Sequence, residues 1–274
     1  DVVYLLPMIK AMGGGNVFLS TENRPDATTQ WEDRFNVVKP LLLAQDYVGI
    51  VKCHEGESFD WPLDIPKSSC KSEEEKYLIP YGKLMLQNHN CDLSVFDKAW
   101  LDVDAADHGF SIVINRTPRY ITSHHHMSDL LESFRDKKAA FVGLEEEWEL
   151  FCRIFGQIPF IKTENLLQLA QVIKGADVFI GNQSCALAIA EGLKQTIVQE
   201  TCRWIPNCCF NRQGFYSFHD TGNYRMIGSA TKIYNFFGSP VEEIEDPITV
   251  NITGASEYGL YPYKKLANYF YKTR

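Results

Sequence analysis

The chain has 274 residues, a hydrophobic share of 45% and a charged share of 23%, the balance of a folded globular protein with room for two ordinary domains. A net charge of −8 speaks against a general nucleic-acid-binding surface, which wants a basic face, while leaving room for a local basic cleft. No apolar run approaches the roughly 20 residues of a membrane span.

The chain opens on DVVYLLPMIKAMGGG, with Asp1 directly ahead of an apolar run. Val2, Val3, Leu5, Leu6 and Ile9 predict a helix from about Val2 to Met12, stopped by Gly13, Gly14 and Gly15 because glycine takes a positive φ cheaply. NVFLS (16–20) reads as a strand. The pattern is the second half of a β-α-β unit whose first strand would precede Asp1. RFNVVKPLLLAQ (34–45) reads as a helix and YVGIVKC (47–53) as a strand. Residues 54–76 form a long loop with two prolines, 81–90 a short helix, and AWLDVDAADHG (99–109) a linker between halves.

The second half alternates more cleanly. Strands are expected over 110–117, 138–143, 158–163, 177–182 and 195–200. Helices are expected over 128–137, 145–156, 165–176 and 184–194, the last with Ser184 as its N-cap. Strand and helix alternating at this spacing predict an α/β chain with a doubly wound parallel sheet, whose ligands sit at the carboxyl ends of the strands.

Those ends carry polar chemistry. INRTPRY puts Arg116, Thr117 and Arg119 just after a strand, where guanidinium forks and a hydroxyl suit a diphosphate or an ordinary solvated loop. FIGNQSCALAIAEGL puts Asn182, Gln183 and Ser184 at a strand-to-helix turn, where free N–H groups attract anions. GLEEEWE opens a helix with Glu145, Glu146 and Glu147; the helix dipole alone favours them, and a carboxylate there can also hold ribose hydroxyls.

Other features are read as bland. TSHHHMS invites a metal, but neighbours in an extended segment point to opposite faces, so no metal site is expected. The eight cysteines, Cys53, Cys70, Cys91, Cys152, Cys185, Cys202, Cys208 and Cys209, lack a CxxC pair and read as free thiols in a reducing cytoplasm. Asn115, Asn182 and Asn251 head glycan sequons, two of them at strand ends and read as coincidence. No GxSxG, P-loop or GxGxxG motif is present.

Taken together the segments resemble the ADP-heptose:lipopolysaccharide heptosyltransferases, glycosyltransferase family 9, over most of residues 1–200. DVVYLLPMIKAM resembles that family's GDVxxxLPxxKAL start, and GNQSCALAIAEGL its xNDSGxxHLAAAL segment. INRTxRY and FIGNQS segments also resemble those of a phage and bacterial branch of unassigned acceptor. The resemblance implies a GT-B fold: two Rossmann-like doubly wound domains facing a cleft. Residues 1–105 would form the acceptor-side domain, 106–235 the nucleotide-sugar-binding domain, and 236–274 a tail packing back across both.

It further implies a sugar transfer from a nucleotide-diphosphate sugar to an acceptor hydroxyl, inverting and independent of metal, with no cofactor. Asp1 matches the catalytic base. Arg116, Thr117, Arg119, Asn182, Gln183 and Ser184 match the donor-diphosphate contacts, and Glu147 the ribose carboxylate. Gln183 stands where the family has Asp, Cys185 where it has Gly and Ala188 where it has His. Those departures motivate a second reading, a nucleotide-sugar-binding protein without turnover. A GT-B-shaped epimerase using His54, His89 or His219 is a third. The acceptor is open among lipopolysaccharide core, another glycan, a protein and modified DNA. A cytoplasmic monomer is expected, with peripheral membrane association among its partners. The tyrosine- and lysine-rich residues 254–274 read as a terminal helix or an acceptor-facing aromatic surface.

Overall fold

The computed structural model describes residues 2–20, 31–60, 63, 92–121, 124–201, 208, 210, 212–218 and 226–227. Asp1, the helix expected over 81–90, His89, His219, most of the 54–76 loop and the 236–274 tail lie outside the described residues.

The first apolar run is not one helix. Val2–Leu5 forms a 3-10 turn and α1 follows over Leu6–Ala11, with Pro7 in its first turn. Proline has no N–H to give to a carbonyl one turn earlier, so an α-helical ladder cannot run through it. Gly13 and Gly14 end the segment at φ of 87° and 92°. Strand β1 (Gly15–Leu19), helix α2 (Trp31–Leu43) and strand β2 (Val48–Cys53) then make one parallel β-α-β unit, with Gly15 opposite Val48 and, after a one-residue register shift before Val17, Leu19 opposite Cys53.

The second half forms a seven-stranded sheet. Its elements are β3 (Ile112–Asn115), α3 (His124–Ser133), β4 (Ala139–Val142), α4 (Glu145–Phe155), β5 (Phe160–Ile161), α5 (Leu166–Lys174), β6 (Val178–Asn182), α6 (Cys185–Gly192), β7 (Thr196–Glu200), β8 (Phe215–Phe218) and β9 (Met226–Ile227). The strand order is β5-β4-β3-β6-β7-β8-β9, parallel except for the last pair. Both faces are covered, and successive side chains of a strand choose opposite faces. Ile112 and Ile114 of β3 pack with Met127 of α3, Phe134 just after that helix and Phe151 of α4. Val113 packs instead with Leu169 and Ile173 of α5 and Leu187 and Ile189 of α6. The fold is thus mixed α/β with a Rossmann-like, doubly wound parallel sheet.

The second apolar cluster crosses into the first half. It contains Val3, Leu6, Met8, Leu41 and Leu42 together with α5, α6 and Phe215 of β8. Helix α2 lies against α5, and the 3-10 turn lies against α6. The linker is fastened as well. Gln45 accepts the N–H of Asp102 at 2.8 Å, Lys10 donates to the carbonyl of Ala99 at 3.2 Å, and the Tyr47 hydroxyl donates to the carbonyl of Trp100. Trp100 is fully buried. Its N–H and that of Leu101 both donate to the Gly192 carbonyl at 3.0 Å. A Cβ on residue 192 would stand 2.7 Å from Leu101 Cδ1 and 2.8 Å from Trp100 Nε1, so this end of α6 is glycine because the linker presses on it. Below it, buried Glu191 holds Lys194 and Arg212, and the Lys194 ammonium lies 4.5 Å from the centre of the Trp100 ring.

Candidate functional site

Strands run one way from β3 through β4 to β5, and the other way from β3 through β6 to β8. The chain therefore reverses direction across the sheet between β3 and β6. In such a sheet the diverging loops open a crevice at the carboxyl ends of those two strands. Asn115 and Asn182 sit at these ends.

Both asparagines are buried and fully engaged. Asn115 donates from Nδ2 to the Val142 carbonyl at 2.9 Å and accepts the Ser184 hydroxyl on Oδ1 at 2.9 Å. Asn182 accepts the Thr117 N–H at 3.0 Å, and its Nδ2 donates to the Thr117 carbonyl at 2.9 Å and to the Arg119 carbonyl. A carboxamide is both donor and acceptor, so each satisfies loop backbone that a sheet ladder no longer reaches. Together they stitch the ends of β3, β4 and β6.

Arg116 turns inward. Its Nε and Nη2 donate to the two carboxylate oxygens of Glu200 at 2.6 and 2.7 Å, with the guanidinium carbon 5.2 Å from the Phe155 ring centre. The side chains are 6% and 0% exposed. Arg119 is exposed at the rim, its guanidinium 5.6 Å from the Tyr120 ring centre. Tyr120 itself adopts φ of 55°, a left-handed conformation that costs a non-glycine residue energy and is common beside functional sites.

The loop after β4 faces this rim. Gly143 has φ of 144°, and a Cβ there would stand 2.6 Å from Asn115 Nδ2 and 3.0 Å from Glu147 Oε2. Glu147 accepts the Leu144 N–H at 3.3 Å at the start of α4. Burial pushes its carboxyl pKa up; the Leu144 N–H and the Arg119 charge pull against that without cancelling it. Leu144 is exposed beside it.

The loop after β6 leads into α6. Ser184 caps the helix, accepting the Leu187 N–H at 3.3 Å. Gln183 Oε1 is buried with no hydrogen-bond partner, and both amide atoms of Gln199 on β7 share that condition. The Tyr4 hydroxyl, on the 3-10 turn that lies against α6, meets the Cys208 thiol. Burial raises the Tyr4 phenol pKa well above the ordinary tyrosine range, with the Cys208 thiol and Glu191 carboxylate adding to it.

The residues singled out in the sequence thus gather along one sheet edge: Arg116, Thr117 and Arg119 after β3, Glu147 after β4, and Asn182, Gln183 and Ser184 after β6. Asp1 lies outside the described residues. His124–His126 begin α3 rather than an extended segment. Among the described residues no group of three metal-ligating side chains is assembled. Cys53, Cys152 and Cys185 are free thiols. Sequence reasoning missed Glu200, Gln199 and the stitching role of Asn115. Each stood inside an expected strand, 110–117 or 195–200, but nothing local marks which face or partner it takes. Among the described residues no helix is long and apolar enough to cross a membrane.

A scan against protein-family models finds no match, and no curated protein matches the chain. A search of solved structures finds similarity to the crystal structure of the glycosyl transferase family 9 from Veillonella parvula DSM 2008. The shared part covers 34% of this chain and 30% of that one, at 14% identity and a TM-score of 0.29. A likeness that partial and that loose carries no argument about activity.

Proposed function

We propose that the chain is a glycosyltransferase that moves a sugar from a nucleotide-diphosphate sugar to an acceptor hydroxyl. The observation that carries the reading is the reversal of strand order between β3 and β6, with a rim cation, a capped helix start and a half-buried carboxylate around it. The sugar and the GT-B arrangement of two facing domains come from the sequence resemblance.

In this reading Glu147 accepts ribose hydroxyls, and the diphosphate lies across the end of β3 and the start of α6. The first N–H groups of a helix have no partner inside it and point at such an anion. Arg119 adds a cation that strengthens as charge grows on the leaving diphosphate. Arg116 acts from behind, holding Glu200 and Phe155 so that Thr117 and Arg119 are presented. Asp1 takes the proton from the acceptor hydroxyl. One base and a direct displacement invert the anomeric carbon. The helix start and Arg119 do the work a metal could do, so transfer proceeds in EDTA.

The engagement of Arg116 by Glu200 favours one second reading, a nucleotide-sugar-binding protein without turnover. A thermal-shift screen with ADP, UDP, GDP and dTDP and their sugar conjugates tests the shared premise, since a ligand of the folded state raises the melting point. Hydrolysis or transfer of the stabilising conjugate separates the readings. Transfer that survives Asp1→Ala removes Asp1 as the base. The absence of any shift removes both readings.

A further inference from the structure

Asn182 ends β6 and is 0% exposed. The β3–β6 ladder stops one step earlier, with Asn115 opposite Gly181, while Asn182 stands opposite Glu200 on β7. Its carboxamide reaches past the end of β3 to the loop that carries Thr117 and Arg119. A carboxamide has two N–H hydrogens and one carbonyl oxygen to spend. Oδ1 accepts the Thr117 N–H at 3.0 Å, and Nδ2 donates to the Thr117 carbonyl at 2.9 Å and to the Arg119 carbonyl. Both hydrogens are therefore committed to main-chain oxygens, and the residue has no surface open to the crevice. Asn182 has no donor left for a phosphate.

What it controls is the course of the loop. It takes the N–H and the C=O of Thr117, as a neighbouring strand would, and two residues later it holds the Arg119 carbonyl inward. Tyr120 follows at φ of 55°, a conformation that persists where the surroundings enforce it. Arg119 itself stays exposed at the rim. Arg116 is anchored by its side chain to Glu200 just before the loop, so the grip on the main chain of residues 117 and 119 belongs to Asn182.

We infer that Asn182 is a positioning residue: it touches no ligand and fixes the turn that presents the Arg119 guanidinium to an anion. In the glycosyltransferase reading, on which this rests, the anion is the donor diphosphate. The role differs from the donor contact that the sequence resemblance implies for Asn182. It has a signature that neither a direct contact nor a mere brace of the fold shares. Removing a side chain that works through another costs affinity only while the other is present.

The test is isothermal titration of the full chain with ADP, UDP, GDP and dTDP, run on wild type, Arg119→Ala, Asn182→Ala and the double variant. The wild type is expected to bind at least one diphosphate, and Arg119→Ala to weaken it about tenfold, the worth of a charged hydrogen bond. Asn182→Ala is expected to cost about fivefold beside Arg119 and less than about twofold in the Arg119→Ala background. Asn182→Ser keeps one donor and one acceptor; it is expected to lose less, and it takes the same place in the cycle if Asn182→Ala does not fold. Equal losses in both backgrounds mean that Asn182 meets the anion itself, and overturn the inference. Unchanged affinity in a folded Asn182 variant means that the amide only braces the fold, and overturns it too. So does an Arg119→Ala protein that binds as well as wild type. A wild type that binds no diphosphate removes the glycosyltransferase reading itself, and the inference with it.

Discussion

Truncating Arg116 probes the ion pair behind the site. Arg116→Met keeps an unbranched apolar stem against Phe155 and removes the fork that holds Glu200. Both side chains are almost fully buried, and the two hydrogen bonds are short, at 2.6 and 2.7 Å. Glu200 would lose both hydrogen bonds of the fork while staying at 0% exposure. Breaking one side of a buried pair costs about 3–5 kcal/mol, because the surviving charge keeps its desolvation penalty. For a chain of this size that lowers the melting temperature by on the order of 10 °C. Replacing both partners, Arg116→Met with Glu200→Met, removes the penalty together with the attraction. The double variant is expected to recover most of the loss, giving a coupling of at least about 2 kcal/mol in a double-mutant cycle. Urea unfolding of the four proteins measures this. A loss below about 1 kcal/mol in Arg116→Met, or a double variant no more stable than the single, refutes the claim that Glu200 is the side chain Arg116 serves.

Further expectations follow from neighbouring contacts. Gly192→Ala forces a methyl group to within 2.7 Å of Leu101 Cδ1 and 2.8 Å of Trp100 Nε1. Overpacking of this kind costs about 1–3 kcal/mol, and the helix preference of alanine, worth about 0.5–1 kcal/mol, does not offset it, so chemical denaturation should show a net loss. Asn182→Ala frees the 117–119 loop from three backbone contacts; trypsin should then cut after Arg119 several-fold faster under native conditions. Glu147 has a folded pKa raised by burial. A raised pKa means that the folded form resists ionising, so stability is full below the unfolded value and is lost as pH climbs through the folded one. Glu147→Gln should therefore stabilise the chain at pH 7 relative to wild type and change it little at pH 4, as denaturant midpoints at the two pH values will show.

The alternation of strand and helix in the second half was legible because parallel strands covered on both faces are written as apolar runs, such as IVIN, AAFV and VFIGN. The cap at Ser184 was legible because its signal is local. The split of the first helix was not read, although Pro7 carries the cause: the apolar periodicity continues through a residue that cannot donate. Strands β8 and β9 were not expected; β8 is placed by pairing with β7, from Ile197 opposite Phe215, and no periodic pattern announces it. The rim residues were legible as types at strand ends, but their division of labour was not. Arg116 and Arg119 look alike in sequence. One meets a carboxylate 84 positions away inside the protein, and the other stays at the surface. Only the packing of β3 beside β6 and β7 decides that difference.

The apolar cluster that contains both Val3 and Phe215 has a bearing on synthesis. A ribosome releases Val3 long before Phe215, so the early helices and the β1–β2 pair must wait for partners not yet made. Until β6, α6 and β8 emerge, Leu6, Met8, Leu41 and Leu42 remain unsheltered. Nascent chains of this protein should accordingly engage holding chaperones early and let go late, rather than acquiring their shape in instalments from the amino end.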